Sequence, residues 1–112
     1  SAGSITEALR RAQSNAGDVL IEVEVEALDE LREALDAGAG RILLDNFSLA
    51  DLREAVTINA EYGYVAAELE ASGNVSLDTV RDIAETGVDY ISTGAITKNV
   101  RAIDLSMLFR ID

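Results

Sequence analysis

Cysteine and histidine are both absent from the 112 residues, and their absence excludes much of the usual chemistry of protein sites. Without cysteine there is no disulfide, no thiolate metal site and no cysteine nucleophile. Without histidine the sequence lacks the commonest general base and a common zinc ligand. Any chemistry must therefore rely on carboxylates, hydroxyls, amines or backbone groups.

Basic residues and long apolar runs are also scarce. Nine lysines and arginines stand against 21 acidic residues, a formal net charge of −12, which repels nucleic acid and anionic membranes. Apolar residues make up 48% of the sequence, but no run reaches membrane-spanning length and no basic-then-apolar leader is present. We therefore expect a soluble, cytoplasmic protein with neither a nucleic-acid nor a membrane partner.

The overall pattern alternates short β-branched runs with stretches of helical period, which is typical of βα units around a parallel sheet. The length suits one domain over residues 1–112 and is far below the roughly 250 residues of a complete eightfold barrel. We predict the α/β class, with four parallel βα units forming half of a TIM-like barrel. The alternative is an open, flavodoxin-like doubly wound sheet.

The boundaries of these units follow from capping residues, glycines and hydrophobic spacing. Ser48 and Ser76 are expected to cap helices, and Leu52, Val56 and either Asn59 or Ala60 to form the buried stripe of the third helix. The predicted helices span 4–15, 28–37, 49–60 and 76–86, with a further turn at 97–100, and the predicted strands span 19–25, 41–45, 64–70 and 88–93.

Carboxylates lie at the carboxyl ends of two consecutive predicted strands, where parallel α/β folds bind ligands. Glu24 and Asp45 come from neighbouring strands, which lie about 5 Å apart in a parallel sheet. Both could reach one magnesium ion or one pair of ribose hydroxyls. The alternative is that they are solvated strand-end carboxylates.

Glycine-containing segments follow the next two strands. Ser72-Gly73-Asn74 precedes a capped helix, and Gly94-Ala95 precedes the short predicted turn. Backbone N–H groups at such helix starts bind anions, and glycine allows a phosphate to approach closely. The pair therefore predicts a phosphate site, although each glycine alone is also typical of an ordinary turn.

Four segments, with the two ends of the chain, carry a family resemblance. They are Glu22–Glu26, Leu43–Phe47, Leu69–Asn74 and Ala84–Thr97. In this order they resemble quinolinate phosphoribosyltransferase, also called nicotinate-nucleotide pyrophosphorylase (carboxylating). The resemblance implies a magnesium-dependent pentosyltransferase of NAD biosynthesis. Its reaction converts quinolinate and phosphoribosyl pyrophosphate to nicotinate mononucleotide, pyrophosphate and carbon dioxide.

The resemblance also implies roles for particular residues. Glu24 is similar to the family's catalytic acid at the magnesium ion and the ribose hydroxyls, and Asp45 to its partner. The ribose 5-phosphate moiety is then held by Ser72, Gly73 and Gly94, with backbone contacts from Asn74 and Ala95.

One departure from the family limits what we expect of the chain alone. The family's quinolinate-binding arginines, lysines and histidine lie upstream of the matched segment. We therefore expect the phosphoribosyl and magnesium side only, without activity in isolation. Unpaired edge strands at 19–25 and 88–93 favour a homodimer. There are two alternatives. One is a part of an active enzyme that another polypeptide completes. The other is a non-catalytic scaffold or phosphate-binding module, excised or engineered.

Overall fold

A mixed five-stranded sheet with helices against one face forms the described part of the chain. The computed structural model describes residues 5, 22–73, 75–93 and 100–104. The strands follow their order in the sequence across the sheet, β1-β2-β3-β4-β5. The strands are β1 (Glu22–Val25), β2 (Arg41–Asp45), β3 (Glu68–Gly73), β4 (Tyr90–Thr93) and β5 (Val100–Arg101). The helices are α1 (Leu28–Asp36), α2 (Leu49–Ala60) and α3 (Leu77–Ala84).

The pairing of the strands confirms the α/β class and corrects the predicted topology at one end. β1 to β4 are parallel, whereas β5 runs antiparallel to β4, with Ile91 opposite Val100 and Tyr90 opposite Arg101. The helical turn predicted over 97–100 is therefore wrong at Val100, and 97–99 lie outside the described residues. The predicted open edge at the fourth strand is also wrong, because β5 covers it. The sequential order contradicts the flavodoxin-like alternative, whose order is 2-1-3-4-5.

The hydrophobic core lies between one face of the sheet and the helices. Successive strand side chains point to opposite faces, so alternate residues of each strand enter this core. The buried hydrophobic strand residues are Val25, Ile42, Leu44, Leu69, Ala71 and Ile91, and the helices add Leu31, Ala34, Leu35, Leu52, Ala55 and Ile58. Burying one such leucine or isoleucine side chain stabilises the fold by about 1.5–3 kcal/mol. The opposite face of the sheet carries the charged strand residues.

The helices begin and end close to the predicted positions. α2 has the predicted bounds, and Ser48 caps it by accepting a hydrogen bond from the backbone N–H of Asp51 over 3.1 Å. At the start of α3, the backbone N–H of Ser76 donates to Thr79 Oγ1 over 2.9 Å. Of the helix predicted over 4–15, only Ile5 is described, and it is helical and packs against the core. No helix in these described ranges is both long and apolar enough to span a bilayer.

The buried stripe of α2 differs from the prediction. Ala55 and Ile58 are buried with Leu52, while Val56 is half-buried and Ala60 is exposed. The residues of α2 that face the sheet follow one another at intervals of three positions, not four. Val56 still packs against the core and Asn59 is half-buried, so of the predicted stripe only Ala60 is exposed.

The third strand begins later than predicted, at Glu68 instead of Tyr64. Gly63–Val65 form a 3-10 turn, and Tyr64 is fully exposed. Asn59 accounts for this shift, because its amide accepts from Ala67 N over 2.9 Å and donates to Ala67 O over 2.8 Å. A helix side chain therefore occupies the hydrogen-bonding groups that a neighbouring strand would use.

The fourth strand also starts later, at Tyr90 instead of Val88. Asp89 stands just before it, and its carboxylate accepts from the backbone N–H of Leu69 over 2.8 Å. Its own N–H donates to Leu69 O over 2.8 Å. Because a side chain replaces a backbone carbonyl here, the regular parallel ladder begins only after Asp89, at Tyr90.

Candidate functional site

The two predicted carboxylates lie on the open face of the sheet, opposite the helices. Glu24 of β1 pairs with Leu43, and Asp45 stands two residues further along β2 on the same face. Two residues of strand correspond to about 7 Å, so Asp45 is diagonal to Glu24 and nearer the carboxyl edge. Glu24 is exposed and Asp45 is half-buried. The fold thus brings both predicted residues to one face of adjacent strands.

A hydrogen bond connects Asp45 to the predicted phosphate segment. Ser72 Oγ donates to Asp45 Oδ1 over 3.4 Å, and the two residues are register partners on β2 and β3. Both residues are half-buried, so water competes less for this contact than at a fully exposed site. The carboxylate side and the phosphate side of the predicted site therefore meet at Asp45 and Ser72.

The bend after Ser72 depends on glycine. Gly73 has φ 120°, which side-chain-bearing residues rarely adopt. The sequence predicted Gly73 in the loop after the third strand, but it is the last residue of β3. It pairs with Thr93, the residue before Gly94 in the sequence. Asn74, Gly94 and Ala95 lie outside the described residues, and their phosphate-binding roles stay predictions.

A small cavity lies between the ends of β2 and β3 and the helices. Its volume is about 50 Å³. That is room for a few water molecules at most and is far too small for a ribose phosphate. It is lined by Leu44, Asn46, Phe47, Leu52, Ala71, Ser72, Val75 and Ile83. The cavity therefore does not accommodate a ligand of that size.

A second polar cluster occupies the amino-terminal side of the open face. Arg41 Nη2 pairs with Glu68 Oε1 over 3.2 Å, and its guanidinium lies over the Tyr90 ring. The Tyr90 hydroxyl in turn donates to Glu68 Oε2 over 3.4 Å. Sequence reasoning missed this cluster, because only the strand register places these three residues on neighbouring strands.

The charge on Glu22 is influenced by the same cluster. Partial desolvation of its carboxyl, followed by repulsion from Glu70, raises the pKa of Glu22, while Arg41 opposes the shift. A hydrogen bond between the two carboxyl groups acts in the same direction as the repulsion. Glu70 itself is buried, at 6% exposure. This part of the open face therefore holds a proton more readily than isolated carboxylates do.

The donor atoms at the strand ends suit magnesium. Glu24 and Asp45 offer hard carboxylate oxygens, and proteins typically hold Mg²⁺ through one or two carboxylates together with substrate phosphates and water. Within the part of the chain that the structure describes, no three acidic side chains are grouped closely enough to hold a metal by themselves. A magnesium ion here would need further oxygen ligands.

These features define an α/β protein with a polar site at the carboxyl ends of its parallel strands. The family model of the quinolinate phosphoribosyl transferase C-terminal domain matches residues 1–108. The chain belongs to the quinolinate phosphoribosyltransferase family.

Individual relatives agree with this assignment. A probable nicotinate-nucleotide pyrophosphorylase (carboxylating) of Methanocaldococcus jannaschii is 40% identical over 107 residues, covering 92% of this chain and 38% of the relative. The nicotinate-nucleotide pyrophosphorylase (carboxylating) of Rattus norvegicus is 39% identical, covering 95% of this chain and 36% of the relative.

A solved structure shows the same fold. The nicotinate-nucleotide pyrophosphorylase from Francisella tularensis superposes with a TM-score of 0.76 at 42% identity, covering 88% of this chain and 34% of that chain. The chain thus spans little more than a third of the length of the proteins it matches.

Proposed function

We propose that the chain supplies the phosphoribosyl- and magnesium-binding part of an enzyme of NAD biosynthesis. That enzyme forms nicotinate mononucleotide, pyrophosphate and carbon dioxide from quinolinate and phosphoribosyl pyrophosphate. The observation that carries the proposal is the hydrogen bond between Asp45 and Ser72. It joins the two halves of the predicted site within a chain of this family.

In this proposal Glu24 and Asp45 hold Mg²⁺ and the ribose hydroxyls. Glu24 is exposed and free to reach a ligand, whereas the Ser72 hydroxyl orients Asp45. A bound Mg²⁺ would neutralise the charge that develops on the departing pyrophosphate. The two carboxylates would fix the sugar by accepting hydrogen bonds from its hydroxyls.

The 5-phosphate would lie at the neighbouring strand ends. Gly73 ends β3 with φ 120°, and its register partner leads directly into Gly94. Ser72, Gly73 and Gly94 form the proposed cradle, with backbone contacts from Asn74 and Ala95. A phosphate here and a magnesium ion at Asp45 would bind opposite ends of one phosphoribosyl group.

The finer points of architecture and assembly belong to the same proposal. Parallel strands in sequential order, with helices on one face, are the arrangement of a barrel segment, and four of them make half of an eightfold barrel. β1 stands at the edge of the described sheet, and none of the described helices packs on the charged face. We propose that further polypeptide covers them, either the remainder of a barrel or a second copy in a homodimer, within a cytoplasmic enzyme.

The test is a calorimetric titration of the chain with phosphoribosyl pyrophosphate, with and without magnesium. We expect saturable binding that magnesium strengthens, and a loss of about 10- to 100-fold in Asp45→Asn and Glu24→Gln. Asp82→Asn, which removes an exposed carboxylate from α3, is the matched control and should bind normally.

Other outcomes discriminate between the remaining candidates. No binding to the wild-type chain at millimolar ligand would contradict the proposed half-site and favour a non-catalytic scaffold. Activity that appears on mixing with an amino-terminal fragment of a relative would support an enzyme completed by a second polypeptide.

A further inference from the structure

Asn46 has an unusual backbone conformation at the end of β2. Its φ is 60°, and among the described residues other than glycine no further residue has a positive φ. Asparagine tolerates this left-handed region better than most residues, but an extended conformation is still the ordinary one. The backbone N–H of Asn46 donates to Ser72 O over 2.9 Å.

The side chain of Asn46 packs against Gly73. A Cβ atom added to Gly73 would collide with Asn46 Oδ1 and would lie 3.2 Å from Asn46 Cα. The two residues therefore approach more closely than any side chain at position 73 allows. The backbone of Ser72 and the α-carbon of Gly73 are both held by the same asparagine.

We infer that Asn46 is a positioning residue for the phosphate side of the proposed site, acting through Ser72 and Gly73. The identity of the ligand in this inference rests on the proposed function, whereas the geometry comes from the structure alone. The Ser72 hydroxyl is hydrogen-bonded to Asp45, and the Asn46 side chain packs against the glycine that follows Ser72. Asn46 holds Ser72 and Gly73 in place and does not itself bind the phosphate.

The test compares the full chain with Asn46→Gly and Asn46→Ala. Glycine removes the side chain and keeps the left-handed backbone accessible, whereas alanine removes the side chain and also disfavours that backbone. Two quantities are measured: the affinity for ribose 5-phosphate by calorimetry, and the amide hydrogen exchange of residues 72 and 73.

We expect Asn46→Gly to bind ribose 5-phosphate about 10-fold more weakly, as is common when a supporting residue is lost. Asn46→Ala should bind at least as weakly. Exchange at 72 and 73 should accelerate in both variants, while exchange in α2 stays unchanged. Wild-type affinity and wild-type exchange in Asn46→Gly would overturn the inference.

Asn46→Asp provides a rescue that a merely structural role would not need. It keeps an oxygen against Gly73 and tolerates the left-handed backbone, but it adds a negative charge. At high salt, where that charge is screened, its affinity should return to within about 3-fold of the wild type measured at the same salt. Failure of this rescue, with the fold intact, would count against the positioning role.

Failure of the proposed function can be told apart from failure of this inference. If the wild-type chain does not bind ribose 5-phosphate, the hydrogen exchange of residues 72 and 73 still decides the role of Asn46. Faster exchange confined to that segment in Asn46→Gly would support positioning without the ligand. Unchanged exchange would reject it.

Discussion

The guanidinium of Arg41 lies over the aromatic ring of Tyr90, with its central carbon 3.9 Å from the ring centroid. The same guanidinium pairs with Glu68, which stands between the two on the intervening strand. A planar cation stacked on a ring and bonded to a carboxylate is specific for arginine. These contacts tie β2, β3 and β4 together on the face opposite the described helices.

Replacing Arg41 by methionine should destabilise the fold by about 1–2 kcal/mol, because a partly buried cation–π contact and an ion pair are both lost. Arg41→Lys should recover only part of this, since lysine keeps the charge without the planar group. Urea unfolding measures both variants. Arg81→Met, which breaks an exposed pair with Glu85, is the control and should cost about 0.5 kcal/mol or less. Equal losses in Arg41→Met and Arg81→Met would contradict a special role for the stack.

Neighbouring residues on β2 test which face of the sheet carries the core. Ile42 is fully buried under the helices and Leu43 is half-buried on the open face. We expect Ile42→Ala to cost about 3 kcal/mol. Leu43→Ala should cost about 1 kcal/mol, because less of its surface is removed from water. The urea unfolding midpoints of the two variants are compared, and light scattering checks that their oligomeric states are the same. Similar losses would show that Leu43 is as deeply covered as Ile42 in solution.

The raised pKa of Glu22 predicts a pH dependence. The folded state binds this proton more tightly than the unfolded chain, whose carboxyl titrates near 4.5, so the folded state is the more protonated one above that pH. Stability therefore falls as the pH rises through the window from 4.5 to the higher folded pKa. Glu22→Gln removes this penalty. It should be more stable than the wild type above the window, with the difference vanishing at lower pH.

The control for Glu22 is Glu24→Gln, which removes one negative charge from the same face of the same strand. Subtracting its effect isolates the contribution of desolvation and of Glu70. The measurement is the free energy of unfolding in urea at several pH values. A Glu22→Gln variant that is less stable than the wild type at neutral pH would contradict this explanation of the pH dependence.

Ser48 should contribute to stability through the helix cap of α2. Ser48→Ala leaves the N–H of Asp51 without its side-chain acceptor and should cost about 1 kcal/mol. Ser48→Asp keeps an acceptor and should stay within about 0.5 kcal/mol of the wild type. Thermal and urea unfolding measure the difference. The capping explanation fails if aspartate is as destabilising as alanine.

Local sequence signals predicted the elements that depend on local physics. The bounds of β2 and α2 came out as predicted, because Gly38 and Gly40 end one unit and Ser48 starts the next. The strand at 64–70 was misplaced. Its alternation resembled a strand, but the amide of Asn59 had already bonded the backbone at Ala67. No local rule reveals a hydrogen bond between a helix and a later segment.

The residues of the candidate site also divide into those that local rules reveal and those that only the fold reveals. Glu24, Asp45, Ser72 and Gly73 were found from the rule that parallel strands present ligands at their carboxyl ends, and family resemblance added their roles. Asn46 was visible in the sequence but had no role assigned, since its left-handed backbone and its contact with Gly73 exist only once β2 and β3 are side by side.

The sequence by itself determined the class, the bounds of β2 and α2 and the family, because periodicity, capping and motif order are properties of neighbours along the chain. The tertiary structure decided the register. That register placed Asp45 beside Ser72, Arg41 near Tyr90, and an unexpected β5 on the edge of β4. The physical reason is that strand pairing joins residues from 9 to 27 positions apart, and its alignment depends on the whole core rather than on any local segment.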